Sequence, residues 1–143
     1  MKLKVFTDGG SKGNPGPAAI GIVFYDESDR VLWAHREDIG VETNNTAEYR
    51  AVMKAYELII STLKPQYPIE RVEWYADSLL VVQQLKGVYK IKQFHIQEYV
   101  NQIRVYEKTL GLPVSYSHVM REKNKLADAL VNDAVDIAEL MRK

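Results

Sequence analysis

The sequence predicts an α/β fold: a five-stranded mixed sheet, its first three strands antiparallel, flanked by helices. Three apolar, β-branched stretches follow one another at the N-terminus, joined by links too short for a crossover. Two further such stretches are each reached through a helix, which predicts parallel pairing. The helical stretches carry their apolar residues at helical spacing, as a layer packed on a sheet requires.

Lys2 to Thr7 reads as the first strand, ending at Asp8, and a glycine-rich turn spans Gly9 to Pro17. Ala18 to Tyr25 is the second strand. Asp26-Glu27-Ser28-Asp29 has the composition of a hairpin turn, and Val31 to Ile39 returns as the third strand. Asn44-Asn45-Thr46 opens a long helix with Ala47, Ala51, Ala55, Leu58 and Ile59 on one face, expected to stop before Pro65. Ile69 to Ala76 is a fourth strand ending in Asp77, and Ser78 to Leu85 is a short helix closed by Gly87. Phe94 to Leu110 is a helix with Ile96, Val100, Ile103 and Leu110 inward, broken by Gly111-Leu112-Pro113. Val114 to His118 is the fifth strand. A charged loop, Arg121-Glu122-Lys123-Asn124, leads into a last helix that reaches about Met141. There is no internal repeat or low-complexity tract.

The length of 143 residues fits one domain, and 46% apolar residues suffice for a core. The absence of cysteine excludes disulfides, thiolate catalysis and Cys-ligated zinc, and agrees with a reducing cytoplasm. No apolar run approaches the roughly 20 residues that span a bilayer. The N-terminus turns polar at Asp8, too early for a signal peptide. Basic and acidic residues balance at 19 each. That is unusual for a nucleic-acid binder, unless metal ions held by carboxylates bring the positive charge.

Four acids stand out. Asp8 and Asp77 follow apolar strands, where α/β sheets gather their ligand sites. Glu48 and Asp128 are expected in the first turns of helices. Each has an ordinary explanation, as a turn former or as a partner of a helix dipole. The neighbours favour another. Gly9-Gly10 removes bulk beside Asp8. Asp77 ends the run Val72-Glu73-Trp74-Tyr75-Ala76, and Asp128 is flanked by Leu126, Ala127, Ala129 and Leu130. Half-buried carboxylates repel one another unless cations separate them, and hard oxygen donors suit Mg²⁺ or Mn²⁺.

The stretches Thr7-Asp8-Gly9-Gly10-Ser11-Lys12-Gly13-Asn14-Pro15-Gly16-Pro17, Thr43-Asn44-Asn45-Thr46-Ala47-Glu48, Ala76-Asp77-Ser78 and Ser117 to Asp128 resemble, in order, the four motifs of the type 1 ribonucleases H. The resemblance covers nearly the whole chain. It implies that fold, and it implies Asp8, Glu48, Asp77 and Asp128 as metal-binding carboxylates. It places Gly9, Gly10, Ser11, Asn14, Asn44 and Ser78 at the substrate, with Asn14 near the RNA backbone, and Thr43 and Asn45 near a DNA-strand phosphate. His118, ten positions before Asp128, matches the family's loop histidine, which helps product or metal leave. Bland readings stand beside these: Asn44 as an N-cap, Asn14-Pro15-Gly16 as a turn, His118 as a strand end. The chain resembles the shorter branch of the family, since Gly87 runs through Val88-Tyr89-Lys90-Ile91-Lys92 into the next helix without the basic insertion many members carry. With no hybrid-binding domain ahead of the first strand, grip on an RNA–DNA hybrid would fall to the groove, helped by Lys12, Lys86, Lys90 and Lys92, unless these lysines are only a solvated face.

The resemblance implies an endonuclease that hydrolyses the RNA strand of RNA–DNA hybrids with two Mg²⁺ ions (Mn²⁺ substituting), leaving 3′-hydroxyl and 5′-phosphate ends. No protein partner is implied, and a monomer is expected. Other nucleases of the same architecture are the first rival, and a non-catalytic nucleic-acid-binding module the second. A nucleotide-binding protein is disfavoured, because the glycine turn has neither phosphate-loop pattern.

Overall fold

The computed structural model describes residues 1–142, with side chains through Asp133. The strands are β1 (Lys2–Ser11), β2 (Gly16–Tyr25), β3 (Val31–Glu42), β4 (Arg71–Ala76) and β5 (Val114–His118). The helices are α1 (Asn44–Leu58), α2 (Lys64–Gln66), α3 (Leu79–Leu85), α4 (Phe94–Leu110) and α5 (Lys125–Arg142). The sheet order is β3-β2-β1-β4-β5. The first three strands form an antiparallel meander, and β4 and β5 join parallel to β1 and to each other. This is the mixed sheet the sequence predicts.

Alternation along β1 assigns its two faces. Leu3, Val5 and Thr7 are fully buried toward α1, in a core shared with Ile20, Ile22, Trp74 and Tyr56. The Trp74 and Tyr56 rings lie 4.5 Å apart. The opposite face is crossed by α5, which buries Val131 against Ala19.

Besides shifts of two or three residues at the ends of β2, β3 and β4, three differences from expectation have a clear physical cause. β1 continues through Asp8 to Ser11, because Gly9, Gly10 and Ser11 remain paired with Ile20, Ala19 and Ala18 of β2. Asp8 therefore sits inside the sheet and not after it, and the turn shrinks to the few residues before Gly16. The long helix does not stop before Pro65. A wide π-helical turn, Ile59–Leu63, lets the Lys64 N–H bond to the Ile59 carbonyl. Pro65 then stands in the first turn of α2, where a missing N–H costs little. Finally, Thr43 caps α1, its hydroxyl accepting from Thr46 N at 3.2 Å, so Glu48 lies in the second turn. The expected first-turn position for Glu48, and the N-cap reading of Asn44, do not hold.

Candidate active site

Asp8, Glu48 and Asp77 converge at the carboxyl ends of β1 and β4. Each offers a carboxylate oxygen within 4.8 Å of the other two. Two glycines make the convergence possible from opposite faces of the sheet. A Cβ on Gly9 would lie 2.3 Å from the Ala47 carbonyl carbon and 2.6 Å from Glu48 N, so only glycine lets α1 cross β1 this closely. A Cβ on Gly21, which pairs with Asp8 across the sheet, would lie 2.3 Å from the Ala127 carbonyl oxygen of α5. That contact brings Asp128, in the first turn of α5, to the same cleft. Gly10 is different: a Cβ there would make only ordinary contact with Val131 at 3.5 Å.

The cleft is open, about 600 Å³, and the four acids line it together with Gly9, Gly10, Ser11, Lys12, Asn44, Asn45 and Ser78. Its electrostatics are strained. Burial, then the negative charge of Asp77, pushes the Asp8 carboxyl up to about 7. Burial and the charge of Asp8 hold Glu48 well above the usual carboxylate range, against a stabilising hydrogen bond from Gly9 N–H. Glu48 Oε2 and Asp77 Oδ2 are buried without a hydrogen-bond partner. Buried anionic oxygens left unpaired are costly, and a hard divalent cation satisfies several at once. The donor set, all carboxylate oxygen, fits such an ion.

The remaining predicted residues fall into distinct places. Asn14 Oδ1 accepts from Asn44 N at 3.0 Å, and Asn44 Oδ1 accepts from Ser11 N at 2.8 Å, so the β1–β2 turn is tied to the start of α1. Ser78 caps α3 by accepting from Val81 N at 3.3 Å. His118 is exposed outside the cleft lining, its Nε2 3.2 Å from the Asp77 carbonyl oxygen. Lys90 and Lys92 line an adjoining hollow that shares Asn45 and Leu80 with the cleft, while Lys86, the C-cap of α3, lines neither. Sequence reasoning gave no role to Gly21 or to Arg121, whose Nε lies 3.6 Å from Asp77 Oδ2. Nothing local to either residue signals its contact, since both are made across the fold.

A family model described as reverse transcriptase-like matches residues 6–134. Ribonuclease HI of Halobacterium salinarum is 34% identical over 138 residues, covering 96% of this chain and 66% of that protein. A bifunctional protein of Mycobacterium tuberculosis is 33% identical over 144 residues, and the chain spans 36% of its length. Among solved structures, LC11-RNase H1 in complex with RNA/DNA hybrid superposes with a TM-score of 0.88 at 39% identity, covering 95% of this chain and 98% of that one. The N-terminal RNase H domain of the mycobacterial protein gives a TM-score of 0.88 at 33% identity over 99% of both chains. With its fold, acidic cleft and glycine contacts already in view, the chain belongs to the reverse transcriptase-like family and, within it, to the type 1 ribonucleases H.

Proposed function

We propose that this chain is an endonuclease that hydrolyses the RNA strand of RNA–DNA hybrids, using Mg²⁺ held by Asp8, Glu48, Asp77 and Asp128, with Mn²⁺ able to substitute. The observation that carries the reading is the cluster of three carboxylates within 4.8 Å of one another, two of them bearing buried oxygens without a hydrogen-bond partner, in an open cleft. A relative of this fold is described in complex with an RNA/DNA hybrid, which supports the substrate class. Divalent ions held there would supply a water of lowered pKa and positive charge at the departing 3′ oxygen, chemistry that would leave 3′-hydroxyl and 5′-phosphate ends.

The chain's own residues do the rest. Asp8 and Glu48, fixed by β1 and the glycine contact, Asp77, just after β4, and Asp128, in the first turn of α5, would hold the ions as anions. Gly9 N–H holds Glu48 in place through its hydrogen bond. The Ser11–Asn44–Asn14 linkage stiffens the turn that faces the hybrid. It leaves the Asn14 amide nitrogen as a donor suited to a 2′-hydroxyl, the group that separates RNA from DNA. Asn45, beside Lys90 and Lys92, serves the DNA strand through phosphate contacts that carry no sequence preference. His118, next to Asp77 but outside the cleft lining, suits a role in release and not in bond breaking. We read residues 1–143 as one domain acting as a monomer in the cytoplasm. Among the described residues no helix is long and apolar enough to cross a membrane.

The test is a labelled RNA–DNA hybrid beside duplex DNA, duplex RNA and single-stranded RNA, each with Mg²⁺, with Mn²⁺ and with a chelator. We expect cleavage of the hybrid's RNA strand alone, abolished by the chelator and restored by either metal. Undiminished cutting in chelator would sink the metal mechanism, and equal cutting of duplex DNA would sink the substrate assignment.

A further inference from the structure

Three of the four carboxylates belong to elements that meet at one buried residue, Thr7. This residue precedes Asp8 in β1 and is fully buried. Its hydroxyl accepts a hydrogen bond from Trp74 Nε1 at 3.1 Å, and Trp74 lies in β4 three positions before Asp77. Its backbone carbonyl accepts from Asn124 Nδ2 at 3.0 Å. Asn124 stands one helical turn before Asp128, whose N–H bonds to the Asn124 carbonyl at 3.0 Å. Both partners are buried, Trp74 to 1% and Asn124 to 2% exposure. The Thr7–Ala76 pair is also the last rung of the β1–β4 ladder, so Asn124 docks where β4 gives out and Asp77 begins.

We propose that Thr7, with Trp74 and Asn124, is a positioning set that fixes the spacing of Asp8, Asp77 and Asp128, and so sets the affinity of the site for divalent ions. The inference rests on reading those carboxylates as a metal centre. Packing alone does not call for these residues. Valine has the shape of threonine and would fill position 7 without burying a hydroxyl that must find a donor. A phenylalanine at 74 would likewise bring no N–H to satisfy. Instead a polar pair is buried on the α1 side of the sheet, and an asparagine is carried 117 positions along the chain to meet the same residue. Each bond joins two carboxylate-bearing elements and touches no carboxylate. Hydrogen bonds made directly to metal ligands typically change metal affinity by roughly 10–100-fold when removed, and these bonds, one step further out, should act at the low end of that range.

The variants are Thr7→Val, Asn124→Ala and the pair Thr7→Val with Trp74→Phe, with Thr7→Ser as the conservative control. The pair removes donor and acceptor together and so leaves no buried group unsatisfied. Each folded variant is titrated with Mn²⁺ alone, followed by calorimetry and by the loss of the free-ion magnetic resonance signal. The Mg²⁺ dependence of hybrid cleavage and the KM for hybrid at saturating metal are measured alongside. We expect affinity for Mn²⁺ to weaken about tenfold in Thr7→Val, in the pair and in Asn124→Ala, with Thr7→Ser close to the native chain. Half-maximal activity should need correspondingly more Mg²⁺, while KM at saturating metal stays within about twofold. Native Mn²⁺ affinity in Thr7→Val and in the pair would overturn the proposal whether or not Asn124→Ala folds, since a merely structural role lowers the unfolding midpoint without moving the titration. A native chain that binds no Mn²⁺ would instead refute the metal centre itself, which is a separate and recognisable result.

Discussion

Two polar clusters, each at least partly buried, lie against the same sheet. In the first, the Tyr116 hydroxyl donates to Glu107 at 2.7 Å and shares a hydrogen bond with Tyr56. Arg104 donates to both Glu107 oxygens at 3.0 Å and to the Leu85 carbonyl. Opposite charges meet, and among the described residues none of these side chains keeps a buried polar atom without a partner. In the second, Asp8, Glu48 and Asp77 are like charges met by one exposed cation, Arg121, 3.6 Å from Asp77 Oδ2, and two of their oxygens have no hydrogen bond. The first cluster is complete within the chain. The second can only be completed from outside it, and this contrast, more than burial or polarity, separates a structural polar cluster from a functional one.

Removing charge from the incomplete cluster has the largest expected effect. Asp8→Asn and Asp77→Asn should each lower hybrid cleavage by about a thousandfold or more, equivalent to ~4 kcal/mol in the barrier. Both should leave the metal-free protein folded, with an unfolding midpoint at or above the native one, because repulsion is relieved. Near-native cleavage in either variant would mean that the clusters have been assigned the wrong way round.

A pH series on the metal-free protein tests the same contrast through stability. Asp8 rises from an ordinary 3.8 to about 7 in the folded state, and Glu48 also rises, so the native chain binds more protons than the unfolded one. Stability should therefore be fully present below about pH 4 and decline as pH climbs through about 7, by a few kcal/mol for Asp8 alone. Saturating Mg²⁺ should cancel the decline, and Asp8→Asn should flatten part of it. Denaturant midpoints across that range give the measurement. A metal-free midpoint that rises with pH over the window would contradict the strained state of the cluster.

The smallest effect is expected where the cluster is complete. Tyr116→Phe deletes a donor to Glu107 and the partner of the Tyr56 hydroxyl, and should cost about 1–3 kcal/mol of stability. Cleavage by the folded variant should match the native rate at a temperature well below its midpoint. A large fall in rate there, with the midpoint unchanged, would erase the distinction.

How much of this is legible in the sequence depends on the range of each interaction. The meander, the crossover helices and α4 follow from local periodicity, and α4 and β5 begin and end where the pattern says. The end of β1 does not, because two glycines resemble a turn while cross-strand pairing with Ala18 to Ile20 keeps them extended. Pro65 misleads for the opposite reason: a wide turn upstream absorbs it. Asp8, Asp77 and Asp128 are visible through their glycine or apolar neighbours, and Glu48 through the motif it closes. Gly21 looks like any small residue in a strand, and Asn124 like any polar residue in a charged loop. Their partners, Ala127 and Thr7, are more than a hundred positions away, and no pattern in a short window reports such a meeting.

The glycine contacts bear on which sequences this molecule can ever explore. At Gly9 the three atoms nearest a would-be Cβ are main-chain atoms of Ala47 and Glu48, and at Gly21 the nearest, at 2.3 Å, is the main-chain oxygen of Ala127. A clash with a side chain can be relieved by trimming that side chain, but main-chain atoms are present whatever residue occupies the position. A Gly9→Ala or Gly21→Ala lesion therefore has no suppressor by shortening at 47, 48 or 127. Recovery would require a whole helix to shift, taking Glu48 or Asp128 with it. Selection for revertants should return glycine at these two codons, whereas at Gly10, where a Cβ would meet only the side chains of Val131 at 3.5 Å and Asn44 at 3.9 Å, bulky lesions should be open to second-site suppression.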